Sequence, residues 1–252
     1  MKNLIYIICL FFTVSTMVEA QEESFIQKNI QRAKEQLGGK LLATADEVIE
    51  KYVEAIGGRD AVLSIKTMAE IVRNVRVGEE DATLYRYYAQ PNYFKAMNSP
   101  DDKNYIVSNG QKTCSVSPSG RNEFSTWIAK SISHNRIDGN FIDYKERGIE
   151  YEYIGLEGFN TEPNVYYHLH RTFADGFEEE LYFEVNSGLL HAIWQTSSPR
   201  KNSPNIFYDY REVNGVLFPH IWMRVHDETA PPHLYIVDEI KINEDFSENF
   251  FE

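Results

Sequence analysis

The sequence predicts an α+β fold: a highly curved antiparallel half-barrel of about ten strands, covered by N-terminal helices and one inserted helix. Three observations favour this fold. Two segments with apolar residues at helical spacing come first, a long series of segments with a period of two follows, and one helical segment interrupts that series. The 252 residues suffice for one well-buried domain, and they contain no repeat, low-complexity tract or linker.

The strongest local signal is the hairpin from Tyr208 to Pro219. Asn214-Gly215 suits a two-residue type I′ turn, because both positions tolerate positive φ. Counting outwards from that turn predicts three pairs: Val213 with Val216, Arg211 with Phe218, and Asp209 with His220. Both faces of the hairpin carry large apolar or aromatic side chains, whereas a sheet with one wet face alternates more cleanly. We therefore expect a sheet curled round an interior, with further cover outside.

Two helices are expected before the strands. Ser24 begins a capping box, and apolar residues at helical spacing follow it as far as Leu37. A second capping box at Thr44 opens another helix, which Gly57-Gly58 ends. A short helical turn is expected from Arg59 to Ser64. These helices are more typical of cover for a sheet than of an interaction surface.

The period of two begins at Lys66, where the first strand places Ala69, Ile71, Val75 and Val77 on one face and ends at Gly78. Besides the hairpin, the other expected strands are Leu84–Gln90, Asn92–Met97, Tyr105–Ser108, Lys112–Val116, Ile149–Ile154, Val165–Phe173, Glu178–Val185, Leu189–Thr196 and Leu234–Ile242. A turn at Asp175-Gly176 predicts that Arg171 lies opposite Glu180. The inserted helix must lie across the sheet or plug its opening; its apolar patch is Trp127, Ile128 and Ile132.

The first twenty residues have the features of a secretory signal peptide. Lys2 gives a positive start, Leu4–Val14 is an apolar run, and Val18-Glu19-Ala20 is a small-residue cleavage site. The run is short for a membrane span, which needs about 20 apolar residues. We therefore expect export with cleavage after Ala20, a helical extension over residues 21–41 and one domain over residues 42–252.

Charge and cysteine content restrict the partners. The formal net charge of −13 repels nucleic acid and anionic lipid headgroups, so neither nucleic acid nor a bare membrane surface is an expected partner. Only Cys114 remains after signal cleavage, so no internal disulfide is possible and the core alone must hold the fold. Aromatic residues make up 13% of the chain, and they can fill a core or line a cavity.

Catalytic motifs are weak. His168-Leu-His170 could begin a metal site, but no third ligand at a suitable spacing is visible, and satisfied strand histidines are the simpler interpretation. Asp209 and His220 could form the acid/base pair of a hydrolase, but no nucleophile is suggested nearby. We therefore predict a protein that is not an enzyme, with no catalytic residue, no metal and no cofactor.

The order of these parts resembles the outer-membrane lipoprotein-sorting (LolA/LolB-like) family. The segments that carry the resemblance are Ala45–Met68, Ser108-Asn-Gly110 before Pro118, Tyr182–Leu189, Tyr208–Pro219 and Val237–Asn243. The resemblance implies a periplasmic half-barrel with an apolar cavity for lipoprotein acyl chains or other lipids, and a membrane protein as delivery partner. The family's best-known carrier holds its lid with an early arginine; Arg73, Arg76 and Arg86 are all candidates for that role here.

Two functions remain open at this point. The first is a periplasmic carrier of lipid or lipoprotein acyl chains, because burying an acyl chain gains about 0.8 kcal/mol per CH₂. The second is a periplasmic sensor or protein-interaction module with the same fold and no transported ligand. The residues expected to line a cavity, each of which could equally belong to an ordinary core, are Phe94, Tyr105, Val107, Trp127, Ile128, Ile132, Leu169, Trp194, Phe218 and Trp222.

Overall fold

The computed structural model describes residues 25–124, 127–158, 164–196, 204–224 and 231–252. Its helices are α1 (25–36), α2 (Ala45–Ala55), α3 (Arg59–Ser64) and α4 (Trp127–Ser133), with a 3₁₀ turn at Lys145–Arg147. The strands are β1 (Thr67–Val75), β2 (Ala82–Ala89), β3 (Tyr93–Met97), β4 (Tyr105–Ser108), β5 (Thr113–Ser117), β6 (Gly120–Glu123), β7 (Glu150–Gly158), β8 (Val165–Thr172), β9 (Glu178–Glu184), β10 (Leu190–Gln195), β11 (Asn205–Val213), β12 (Val216–Arg224) and β13 (His233–Ile242).

The thirteen described strands form one antiparallel sheet in the order β6-β5-β4-β3-β2-β1-β13-β12-β11-β10-β9-β8-β7. The chain enters the middle of the sheet at β1 and runs outwards to β6. It then passes to the opposite edge at β7 and returns to β13, beside β1. The sheet is an open half-barrel, and α4 belongs to the segment that joins its two edges. The predicted α+β half-barrel with one inserted helix is therefore confirmed.

Helix α2 begins as the sequence predicts. Thr44 and Glu47 form a reciprocal capping box, and Val48, Ile49 and Tyr52 are buried. The Tyr52 ring packs edge-on against Phe183 of β9, with ring centroids 5.3 Å apart. Burial of this apolar stripe holds α2 against the sheet and makes it part of the main core.

Gly57 allows α2 to approach the β11–β12 turn. Its φ is +123°, and a Cβ at this position would lie 2.1 Å from the carbonyl oxygen of Gly215. The adjacent backbone also joins the two elements, because Leu217 N–H donates to Ile56 O at 2.8 Å. Only glycine fits this contact.

The two faces of the sheet differ in what covers them. We call the face that packs against α2 in the main core the inner face; it carries Met68, Tyr88, Leu169 and Phe183. The opposite, outer face carries a smaller cluster of Tyr166, Tyr182 and Ala192, against which Trp194 packs. Both faces of the sheet therefore bury aromatic side chains, as the hairpin pattern predicted.

Two local expectations are wrong. Arg171 pairs with Glu179 and not with Glu180, because Phe173 and Phe177 close a three-residue loop in which Gly176 has a φ of +75°. Strand β1 ends at Val75 and not at Gly78, so Val77 lies beyond it and is 78% exposed. Within β1 the buried positions are Met68, Val72 and Asn74, on the face opposite to Ala69, Ile71 and Val75. Burial of Asn74 shows that the inner face is not uniformly apolar there.

The hairpin has the predicted register. Val213 lies opposite Val216 and Arg211 opposite Phe218, on either side of Asn214-Gly215 at positive φ. Asp209 also has positive φ, at 53°, and forms no ladder pair. The signal-peptide prediction and Ser24 lie outside the described residues.

Candidate functional site

The inner face of the central strands presents an apolar wall that is only half-buried. Trp222 of β12 stacks on Tyr235 of β13 with ring centroids 5.0 Å apart and an interplanar angle of 6°. Further half-buried apolar side chains of this wall are Leu84, Ile193, Phe207 and Ile240. A surface of this kind is poorly hydrated and gains free energy when an apolar group covers it.

An ion pair lies in this wall. Arg86 Nη1 is 3.4 Å from Glu70 Oε2, and the Tyr88 hydroxyl donates to the same oxygen at 3.2 Å. The Arg86 guanidinium lies 5.1 Å from the centre of the Trp222 ring and 5.9 Å from that of Phe94. Only 11% of the Glu70 side chain and 23% of the Arg86 side chain are exposed.

Burial shifts the pKa values of the groups around this pair. Burial raises the pKa of the Tyr88 hydroxyl well above its usual value, so this group remains a hydrogen-bond donor. Burial alone would lower the pKa of Arg86, but Tyr88 and Glu70 outweigh that effect and the net shift is upward. The cationic Arg86 guanidinium is therefore held beside the Glu70 carboxyl group within the apolar wall.

The three arginines considered from the sequence lie in different places. Arg86 is on the inner face. Arg73 pairs with the exposed Asp238 at 2.7 Å, and Arg76 pairs with Glu79 at 3.0 Å beyond the end of β1. Arg86 is the one of the three whose guanidinium contacts the apolar wall.

Helix α4 bridges distant parts of the sheet. The Thr113 hydroxyl of β5 donates to Ala129 O at 3.3 Å, and Gln195 Nε2 of β10 donates to Ser131 Oγ at 2.8 Å. Ile132 packs against the main core. The helix thus connects β5, near one edge of the sheet, with β10, on the far side of the central strands.

The residues predicted to line a cavity divide among three places. The inner face holds Phe94, Leu169, Phe218 and Trp222; α4 holds Trp127, Ile128 and Ile132; the outer face holds Tyr105, Val107 and Trp194. Leu169 is completely buried, whereas Ile128 is 37% exposed. Of these predicted lining residues, Trp222 belongs to the half-buried wall. Glu70 was not identified from the sequence. The available signal was a charged residue that alternates with Met68 and Val72 and therefore shares the inner face of β1 with them.

A cleft, which we call the outer cleft, lies on the outer face between β3–β6 and the C-terminal segment 243–252. It has a volume of about 1000 Å³, with Val107 and Cys114 on one side and Phe246 and Phe251 on the other. Lys95 holds the segment, because its Nζ donates to Phe250 O at 2.9 Å.

The groups considered for catalysis are engaged elsewhere. Asp209 accepts a hydrogen bond from Arg211 at 2.5 Å, His220 Nδ1 lies 3.0 Å from Phe218 O, and no hydrogen bond joins Asp209 to His220. His168 lies between Glu157 and Glu180. Across the described ranges, no group of three His, Cys, Asp or Glu residues is placed to hold a metal ion.

No helix in the part of the chain that the structure describes has the length and apolar character needed to cross a membrane.

Comparison with solved structures identifies the fold. The structure is similar to a LolA superfamily protein from Nitrosomonas europaea, with a TM-score of 0.58 and 14% identity over 84% of this chain and 98% of that one. The chain has the LolA-type fold. The same fold relates it to a domain of an outer membrane lipoprotein-sorting protein from Vibrio parahaemolyticus, with a TM-score of 0.54 and 12% identity over 82% of this chain and 95% of that one.

A DUF1329 family protein from Desulfovibrio piger also shares the LolA-type fold, with a TM-score of 0.54 and 12% identity over 82% of this chain and 96% of that one. No family model matches the sequence, and no curated protein matches it. The resemblance predicted from the order of the segments is confirmed at the level of the fold.

Proposed function

We propose that this protein is an exported, non-enzymatic carrier that holds the acyl chain of a lipid or lipoprotein against its inner face. The observation that carries the proposal is the half-buried wall of Trp222, Tyr235 and Leu84, on the face that the helices cover. The lipoprotein-sorting description of the Vibrio parahaemolyticus domain supports the same class of function.

The energetics need no catalytic group. Burying an acyl chain gains about 0.8 kcal/mol per CH₂, so a 16-carbon chain supplies roughly 12 kcal/mol before the costs of ordering and association. Arg86 and Glu70 place a compact polar pair within the wall, where they can hydrogen-bond the ester or amide group at which an acyl chain ends.

The chain offers a matched pair of tryptophans for the test. Trp222 is half-buried on the inner face, and Trp194 is half-buried on the outer face beside Tyr182. A fluorescent fatty acid is titrated into the wild type, Trp222→Ala and Trp194→Ala, with circular dichroism as the check on folding. We expect saturable binding by the wild type and Trp194→Ala, and at least tenfold weaker binding by Trp222→Ala.

Two results would contradict the proposal. One is the absence of fatty-acid uptake together with the absence of lipid in a solvent extract of the purified protein. The other is equal weakening by both substitutions, which would place the ligand away from the inner wall.

The second function, a periplasmic sensor or protein-interaction module, is favoured by the sheet edges. Among the described strands, β6 and β7 each pair on one side only, and such edges accept an added strand from a partner. Capture of one protein at a fixed stoichiometry, without lipid uptake, would support this function instead.

A further inference from the structure

A smaller cleft lies beside α4. It has a volume of about 340 Å³ and is bounded by α4, the β4–β5 turn, the β8–β9 turn and the segment 134–149; its polar wall includes Lys130, His134, Arg136, Asn140, Arg147 and Asp175. We call it the α4 cleft. Nothing in the proposed acyl binding uses these residues.

The wall of the α4 cleft is positively charged in an acidic protein. Lys130, Arg136 and Arg147 line it with one carboxylate, Asp175; Lys130 Nζ donates to the Asp175 carbonyl at 2.5 Å and lies 3.9 Å from its carboxylate, so the excess positive charge comes mainly from the arginines. Asp138, which pairs with both arginines, is buried behind them with 6% of its side chain exposed. The formal charge of the whole chain is −13, but charges beyond about 8 Å are largely screened at physiological salt. An ion in the cleft therefore experiences mainly the local cationic excess.

Asp138 fixes the orientation of the arginines. Arg136 donates through Nε to Asp138 at 2.9 Å and through Nη2 at 3.5 Å, while its Nη1 makes no hydrogen bond to any described residue. Arg147 donates to Asp138 at 3.3 Å, to Asn140 Oδ1 at 3.2 Å, to Asp143 O at 3.4 Å and to Ile142 O, so all three of its nitrogens are already engaged. Arg136, held on one edge by a buried carboxylate, is therefore pre-organised to offer its Nη1 N–H groups to an oxyanion, whereas Arg147 contributes mainly its charge.

His134 lies beside these groups. Its ring stacks on Phe173 at 3.8 Å, and its Nε2 lies 3.3 Å from Asp175 Oδ1. Burial lowers the pKa of His134, and Asp175 only partly opposes that effect. An anion in the cleft would, like Asp175, raise the pKa of His134.

We propose that the α4 cleft binds a small ligand that carries a phosphate or carboxylate group. The volume of about 340 Å³ is near the lower limit of small-molecule sites, which begin at about 300 Å³. The cleft therefore suits the anionic group with a few attached atoms and is too small for an acyl chain. Because Lys130 and His134 belong to α4 and the following turn, the ligand would also fasten this helix to the segment that carries Arg136 and Arg147.

The test compares two double variants of the full chain with the same change in charge. Lys130→Gln with Arg136→Gln removes two cations from the cleft, while Arg147 still neutralises Asp138. Lys112→Gln with Arg121→Gln removes two cations that line the outer cleft instead. Inorganic phosphate, glycerol 3-phosphate and succinate are titrated by calorimetry at constant ionic strength, and phosphatidylglycerol vesicles are tested by co-sedimentation.

We expect saturable binding of at least one soluble anion by the wild type and the outer-cleft variant, and at least tenfold weaker binding by the α4-cleft variant. The preferred anion identifies phosphate or carboxylate as the recognised group. A second measurement needs only the wild type, so it does not depend on whether a variant folds. The imidazole NMR signals of His134 should shift saturably as the anion is added, and the pKa of His134 should rise. The signals of His170, on the outer face, should not respond.

Three outcomes would overturn the proposal. They are no saturable binding of any soluble anion, equal weakening in both double variants, and an unchanged His134 signal at saturating anion. Binding to vesicles without binding to a soluble anion would also overturn it, because the ligand would then be a membrane surface. Fatty-acid binding is measured separately, so failure here leaves the carrier function untouched.

Discussion

Replacing Arg171 by methionine should strongly destabilise the protein. Arg171 is 3% exposed; its Nε donates to Glu179 at 2.9 Å, and its Nη1 donates to Gly139 O at 2.8 Å and to the Tyr151 hydroxyl at 3.0 Å. Burial by itself lowers the pKa of Arg171, but Glu179 and Tyr151 raise it by more, so the guanidinium is firmly charged. Without it, Glu179 is a buried carboxylate with no compensating cation.

The expected magnitude follows from that burial. Removing one partner of a buried ion pair costs about 3–5 kcal/mol, mostly because the remaining charge is desolvated and unpaired. For a domain of this size, 1 kcal/mol shifts Tm by about 2–4 °C, so Arg171→Met should lower Tm by roughly 6–20 °C. Replacing Glu179 by methionine as well removes the stranded charge and should recover much of the loss.

The assay is urea unfolding followed by circular dichroism, supported by Tm. The control is Arg211→Met, which breaks an ion pair whose arginine side chain is 60% exposed and should cost less than about 1 kcal/mol. If Arg171→Met costs no more than Arg211→Met, or if the double variant is no more stable than Arg171→Met alone, the reasoning is refuted.

Three other changes test separate features of the structure. Gly57→Ala should destabilise the protein by more than 1 kcal/mol in urea unfolding, because φ is positive and the new Cβ would clash with Gly215 O. Gly78→Ala is the control: φ is also positive there but no atom lies nearby, so the difference between the two variants measures the clash apart from the backbone strain. Lys95→Met should speed hydrogen exchange in residues 246–252, because Phe250 O loses its donor; unchanged exchange would contradict this. In the folded protein His134 has a pKa below its ordinary 6.5, so the unfolded chain takes up a proton at this residue more readily than the folded one. In phosphate-free buffer the wild type should therefore lose stability relative to His134→Gln as the pH falls below about 6.5. A difference in unfolding free energy between the two proteins that stays constant from about pH 8 to about pH 5 would contradict this prediction.

Local sequence signals predicted much of the fold. The Asn214-Gly215 turn fixed the register of its own hairpin, and Thr44 with Glu47 marked the start of α2, because each signal depends on residues a few positions apart. The Arg171 pairing failed because Asp175-Gly176 is compatible with a two-residue or a three-residue loop, which differ by one position in register. The choice between them is made by packing of Phe173 and Phe177, which lie in one cluster.

The candidate site was less accessible to sequence reasoning. In the β3–β4 pair Val107 lies opposite Lys95, so Val107 and Phe94 are on opposite faces of the sheet. The connection between these strands is long, and a loop of that length does not allow the register to be predicted from the sequence. The α4 cleft could not be found at all. It combines Lys130 and Arg147 with Asp175 of another hairpin, and only the path of the chain from β6 to β7 brings those segments together.

That path has a mechanical consequence. The polypeptide leaving β6 and entering β7 is a tether between the two margins of the sheet, and Arg171 anchors it midway through Gly139. In the proposed carrier, moving the two edges of the sheet apart to admit a bulkier ligand would pull on the contact between Arg171 and Gly139 O. Changing that contact, rather than enlarging the wall, would then be the direct way to alter which ligands fit.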